Sequence, residues 1–168
     1  VNVVGGPVGA GIGSDLSALD GDLQELSGYS SDISFTVSDD ASDIVLVGGQ
    51  ATIVDSGVDQ VFVTDSSVDA GVGAELNDLE LALKGVGGTD IDFTVTDSAG
   101  AVASELSATG DELDEANDVN VVGGTIDVAA ADAVQDITAY DSGASDYDIQ
   151  DSAGALLSSV GQEAVVNS

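Results

Sequence analysis

The sequence predicts a repetitive, β-rich α/β chain, a solenoid-like stack of strand–helix–strand–helix units. Three observations carry that expectation. The hexapeptide Val1-Asn2-Val3-Val4-Gly5-Gly6 recurs unchanged as Val119-Asn120-Val121-Val122-Gly123-Gly124. Phe35-Thr36-Val37-Ser38-Asp39 is matched by Phe93-Thr94-Val95-Thr96-Asp97, and Asp97-Ser98-Ala99-Gly100-Ala101 is identical to Asp151-Ser152-Ala153-Gly154-Ala155. Repeated units of this length bury their apolar faces on their neighbours, which is the logic of a stack. An adhesin-type β-sandwich with short helices is the alternative.

Taken in order, three periods can be superimposed: 1–57, 58–116 and 117–168 of one elongated domain. Val1-Asn2-Val3-Val4, Val61-Phe62-Val63-Thr64 and Val119-Asn120-Val121-Val122 read as the first strand of each, from their β-branched content. A helix follows. Leu16, Leu19, Leu23 and Leu26 form one stripe at helical spacing, as do Val72, Leu76, Leu79 and Leu83; Val134 and Ile137 mark a weaker third. The second strands are Ile33-Ser34-Phe35-Thr36-Val37, Ile91-Asp92-Phe93-Thr94-Val95 and Tyr147-Asp148-Ile149, the first two alternating apolar and polar. All three run on to an aspartate, at 39, 97 and 151. The two Asp-Ser-Ala-Gly-Ala segments open a further helix, with Asp or Ser as cap. The first period departs here, since Ile44-Val45-Leu46-Val47-Gly48-Gly49 and Thr52-Ile53-Val54 read as strands.

Composition excludes much. The chain has 168 residues, 32 acidic and one basic, for a formal charge of −31. Such a charge rejects nucleic acid phosphates and anionic membrane surfaces. Apolar residues still make up 43%, which separates the chain from disordered acidic tails. Without Cys or His there is no zinc site, disulfide or imidazole base. No apolar run reaches the length of a membrane span. Three Phe and three Tyr cannot line an aromatic groove for a carboxylate glycosidase pair, so an enzyme is not expected. Gly6-Pro7-Val8-Gly9-Ala10-Gly11-Ile12-Gly13 imitates a dinucleotide fingerprint, but its spacing is wrong and no cation stands near.

Repulsion among so many carboxylates must be neutralised by salt or bound cations. Asp39, Asp40 and Asp43 form one loop cluster, and Asp141, Asp146, Asp148 and Asp151 another. Short acidic side chains in one turn suit Ca2+, which makes these the expected metal ligands. A third acidic run, Asp111, Glu112, Asp114, Glu115 and Asp118, stands where negative charge opposes a helix dipole. Tyr29, Tyr140 and Tyr147 are the aromatic residues from which a recognition patch would have to be built.

The interior passes from Glu115-Ala116 into the strand at Val119, and Glu163-Ala164 followed by Val165-Val166-Asn167-Ser168 is a second such approach. Written tail to head, the terminus leads into Val1. Self-assembly through Val1, Asn2, Val3, Val4, Val165 and Val166 is the expectation, with the chain as its own partner in a head-to-tail homopolymer.

The short Val/Ile/Thr strands ending in Asp, and the Asp-Ser-Ala-Gly-Ala helices, resemble the degenerate acidic repeats of large secreted bacterial and archaeal surface proteins. Those include calcium-dependent adhesins and surface-layer or filament subunits. The Gly-Gly-x-Gly-x-Asp nonapeptide of the calcium β-roll is absent, as Gly48-Gly49-Gln50-Ala51 lacks the next glycine. The resemblance implies a structural subunit of an extracellular or cell-surface assembly, stabilised by Ca2+. A calcium-dependent module binding carbohydrate or cell-surface glycans is the competing reading, and a salt-adapted protein of a halophile the third.

Overall fold

The computed structural model describes residues 3, 6–26, 33–46, 58–85, 88, 90–109 and 113–167. Along them the order is α1 (Ala10–Gln24), β1 (Phe35–Asp39), α2 (Ala41–Leu46), β2 (Val58–Val63), α3 (Ala70–Gly85) and β3 (Thr94–Asp97). Then come α4 (Ala99–Thr109), β4 (Asp118–Ile126), α5 (Val128–Gln135), β5 (Asp146–Ile149), α6 (Ala153–Leu156) and α7 (Ser159–Asn167). The chain divides into two compact units, one of Val1–Asp65 with Asp78–Asp92, the other of Ser66–Asn77 with Phe93–Ser168.

In the first unit β1 and β2 pair in parallel, with Val37 opposite Val61 and Asp39 opposite Val63. Val8 bridges the other edge of β1, donating its N–H to the Thr36 carbonyl and accepting from the Ser38 N–H, both at 2.9 Å. The inward side chains Phe35, Val37 and Val61 are buried with Ile33 and Ile44. The second unit repeats the arrangement. β3 pairs in parallel with the first half of β4, Val95 opposite Val119, while Val68 bridges the other edge of β3. β4 then runs on to pair its second half with β5. The register shifts between Val122 and Thr125, where Gly123 and Gly124 take φ of 69° and 95°. Only glycine adopts that backbone without strain, so Gly-Gly is what lets one strand serve two partners.

Helices lie close on these strands. A Cβ on Gly73 of α3 would stand 2.5 Å from Val95 Cγ2 and 3.3 Å from Leu113 Cδ2, and Gly13 of α1 meets Val37 Cγ2 in the same way at 2.9 Å. A helical glycine costs about 1 kcal/mol against alanine; here it permits the approach. The leucine stripe of α3 is buried as expected, at Leu76, Leu79 and Leu83. That of α1 is not. Its buried residues are Ala10, Gly13, Ser17 and Asp20, while Leu19 and Leu26 are exposed. Asp20 is tolerated inside because it accepts from the Ile33 N–H at 2.8 Å and from Gln24 Nε2 at 2.6 Å.

The expected β-rich solenoid-like stack is not what forms, and neither is the adhesin-type sandwich. Among the described residues there are seven helices and two small parallel sheets, of two and three strands, neither closed. Parallel strands need long crossovers, and here every crossover holds a helix, so helix outweighs strand. Ile44, Val45 and Leu46, expected in a strand, end helix α2. That helix begins at Ala41, whose N–H is bound by the Asp65 carboxylate at 2.6 Å. Residues 47–49 and 52–54 lie outside the described residues. No described helix is long and apolar enough to cross a membrane.

The single lysine sits in the first unit against the most buried glutamate. Lys84 Nζ is 2.7 Å from Glu80 Oε1 and 3.1 Å from Asp90 Oδ1. Glu80 is 1% exposed, and a carboxylate so buried needs a paired charge.

Glycine substitutions test the helix–strand approach by their sign. Gly73→Ala is expected to cost about 1–3 kcal/mol through overpacking. Gly100→Ala, where nothing lies within 4 Å of the new methyl, is expected to gain about 0.5–1 kcal/mol. Urea unfolding of both measures the difference. Lys84→Met should destabilise by about 2 kcal/mol, between an exposed pair and a buried one because the ammonium is partly exposed.

Candidate functional site

The first N–H groups of a helix have no partner within the helix, and its dipole favours an anion there. In this chain the anion comes from the end of the following strand. Asp39 at the end of β1 accepts the Ala10 N–H of α1 on Oδ2 at 2.9 Å and the Asp40 N–H on Oδ1 at 3.0 Å. Asp97 at the end of β3 does the same for α3, with Ala70 at 3.1 Å and Ser98 at 2.6 Å. Asp151, just past β5, binds the Val128 N–H of α5 at 3.3 Å and that of Ser152 at 2.6 Å. With Asp65 on α2, four helix starts are held by a carboxylate 23 to 29 residues further on. Local caps complete two of them: Asp69 accepts from Val72 at 2.9 Å and Asp127 from Ala130 at 2.8 Å.

This places the expected metal ligands. Asp39 and Asp151 each use both carboxylate oxygens on backbone N–H groups of their own chain. Asp40 accepts from Thr64 Oγ1 at 2.7 Å, and Asp43 is exposed in the first turn of α2. Asp141 accepts from the Gly143 N–H at 2.8 Å, while Asp146 and Asp148 are exposed on β5. Among the described residues no three acidic side chains gather closely enough to hold a metal ion. In the third acidic run, Asp114 accepts the Thr138 N–H at 3.0 Å; Asp111 and Glu112 lie outside the described residues. The helix start after Gly6-Pro7-Val8-Gly9, where a phosphate would sit in a dinucleotide site, is filled by Asp39.

Of the three tyrosines, Tyr29 lies outside the described residues, and Tyr140 and Tyr147 are half-buried neighbours. The Tyr147 hydroxyl accepts from Gln135 Nε2 at 2.8 Å, and the same amide donates to the Ala164 carbonyl at 2.9 Å. One side chain thus ties α5 to both β5 and α7. Burial is the main cause that pushes the Tyr147 phenol up to about 12; the Tyr140 hydroxyl beside it adds to the rise and the Gln135 bond opposes it. A groove of about 600 Å3 between α4 and α5 is lined mainly by alanine and serine, and its carboxylate, Asp127, is engaged as a cap.

Of the expected assembly residues, Val1, Asn2 and Val4 lie outside the described residues and Val3 lies outside any strand. Val165 and Val166 are exposed on α7, at 50% and 80%. Ala116 and Ala164 are both buried, in keeping with their shared Glu-Ala sequence, but Ala164 continues as helix where Ala116 leads into a strand. Sequence reasoning missed Asp65, and it missed the buried polar residues Ser17, Asp20, Asn77 and Glu80. Asn77 accepts the Glu115 N–H at 3.0 Å. These polar residues interrupt the leucine stripes and were indistinguishable there from a solvated helix face. No protein-family model, curated protein or solved structure matches the chain.

Asp97→Ala, which removes two hydrogen bonds and a helix-start anion, is expected to lower stability by about 2 kcal/mol. Asp148→Ala, on an exposed strand position, should stay within about 0.5 kcal/mol. Equal losses in thermal unfolding would contradict the capping role. The Tyr147 phenol is raised in the folded chain, so its contribution is complete below the ordinary phenol pKa of 10 and is lost as pH rises towards 12. An alkaline stability profile should fall in that window, and Tyr147→Phe should remove that part of the fall.

Proposed function

We propose that this chain is a structural module of an extracellular assembly, a filament, surface layer or adhesin stalk, in which copies pack head to tail. The observation that carries this reading is a mismatch between equivalent helices. Leu19 of α1 is the counterpart of Leu79 of α3 by repeat alignment, yet Leu19 is 46% exposed and Leu79 fully buried. Ile12 of α1 is exposed as well, as is Leu26 just past the helix. A second exposed apolar set, Leu157, Val160, Val165 and Val166, lies on and before α7. Two different apolar surfaces on one chain favour a heterologous contact, and a heterologous contact that does not close builds an open array.

The charge supports the same reading. Hydrogen bonds to backbone N–H groups engage several carboxylates, but the chain has one ammonium to set against 32 acidic groups. Copies carrying −31 each approach only when cations screen them, so assembly is coupled to ionic conditions, including Ca2+. The resemblance to acidic repeats of secreted surface proteins points to the cell exterior.

Sedimentation of the purified chain tests the proposal. The expected result is monomer in low-salt buffer with chelator, and concentration-dependent large species in molar salt or millimolar Ca2+. A chain that remains monomeric in every condition would overturn it.

A further inference from the structure

We infer that β5 is an acceptor strand, and that segment 1–6 of a second copy of this chain pairs with it in parallel. Ile149 then stands opposite Val1, Gln150 opposite Asn2 and Asp151 opposite Val3. This inference rests on the head-to-tail reading above and names its contact.

The first support is an ungapped match of three nonapeptides. Val1-Asn2-Val3-Val4-Gly5-Gly6-Pro7-Val8-Gly9 aligns with residues 61–69 and 119–127. In the two interior cases the front of the nonapeptide pairs with strand residues 24 positions earlier. Val61, Phe62 and Val63 lie on Val37, Ser38 and Asp39. Val119, Asn120 and Val121 lie on Val95, Thr96 and Asp97. The chain thus holds three donor segments and three acceptor strands, and it pairs two acceptors with the interior donors.

The third acceptor is identified by hydrogen bonds and not by sequence alone. On its already covered edge, β1 donates from Ser38 to the Val8 carbonyl, and β3 from Thr96 to the Val68 carbonyl. Gln150, the residue after β5, donates to the Ile126 carbonyl at 2.9 Å. Val8, Val68 and Ile126 occupy the same place in the three nonapeptides, so residues 38, 96 and 150 are equivalent. By strand alternation the Ile149 N–H and C=O point to the opposite edge, where the described residues place no strand. Unpaired backbone along a strand edge is a ready template for another strand.

Burial gives the second, independent support. Val37 and Val95 are fully buried beneath their donor strands, but Ile149 at the same place is half-exposed. Phe35 and Phe93 are buried, and their counterpart Tyr147 is half-exposed. Beyond the strand, Ala41 and Ala99 are buried while Ala153 is exposed; Ile44 and Val102 are fully buried while Leu156 is not. A row of four apolar positions is covered twice and left open once.

The donor fits what is missing. The interior donor buries Val119 and Val121 fully, and Val1 and Val3 are the same residues at the same places. Charge favours this segment over others. Residues 1–14 carry no charged side chain, so they can approach Asp146, Asp148 and Asp151 without the repulsion that other stretches of this acidic chain would meet.

Disulfide cross-linking tests the register, because the chain has no cysteine of its own. Adjacent parallel strands lie about 4.8 Å apart, within disulfide reach. Gln150 is exposed, and its two equivalents lie opposite Phe62 and Asn120, so Asn2→Cys and Gln150→Cys should leave the fold intact. Mixed in molar salt and oxidised, they are expected to give a covalent heterodimer at roughly ten times the yield of Asn2→Cys with Asp146→Cys. The double variant should give a ladder of covalent multimers. Equal yields from the two mixtures, or a closed disulfide within one chain of the double variant, would overturn the inference. If the unmodified chain forms large species in that salt without the specific cross-link, the contact assigned here falls and head-to-tail packing stands. If the unmodified chain stays monomeric there, both fall.

Discussion

Among the described residues, four helices begin where a carboxylate at or just past the end of a later strand reaches their first N–H group. The rest of the architecture depends on that bond. It fixes where each helix starts, and it sets how far the strand that carries the aspartate must run alongside the strand before the helix. Where the aspartate also accepts from the next residue, the same side chain holds the residue just before the following helix. Asp39, Asp97 and Asp151 are therefore joints, each closing one strand–helix unit and opening another. Helix-start N–H groups are partly positive, and a carboxylate satisfies them with charge-assisted bonds. An acidic chain with almost no cations has reason to use its own backbone in that role.

One joint is built differently. The nonapeptide 61–69 supplies Asp65 to α2, but in 119–127 the equivalent position is Gly123. There the backbone itself comes near the start of α4, and a Cβ on Gly124 would stand 3.5 Å from the Ala99 nitrogen. Two glycines at positive φ allow the approach, and the strand shifts register as it passes.

Packing follows from these joints. Val37, Val95, Val119 and Val121 are fully buried in the paired strands, and helical glycines at 13 and 73 let α1 and α3 close on Val37 and Val95. With few large aromatic residues to fill space, the core is thin and depends on close approach of backbone to β-branched side chains. Small groups at crossings therefore matter as much as large ones in the interior. Among the described residues, β5 stands at a sheet edge and Leu19 of α1 is exposed.

The sequence by itself determined the repeat, the position of most strands, the helices that follow Asp-Ser-Ala-Gly-Ala, and the charge that governs any approach between copies. Identical residues in identical local contexts make the same turns and caps, so these features were legible without coordinates. Only the tertiary structure decided what the aspartates do. An acidic turn has the same residue pattern whether its oxygens meet an ion or a helix start 23 to 29 residues away, and sequence contains no measure of that approach. The same holds for α1 and α3, whose leucine stripes look alike while one is buried and the other exposed. Burial depends on which neighbours are present, and that is settled by packing across the fold.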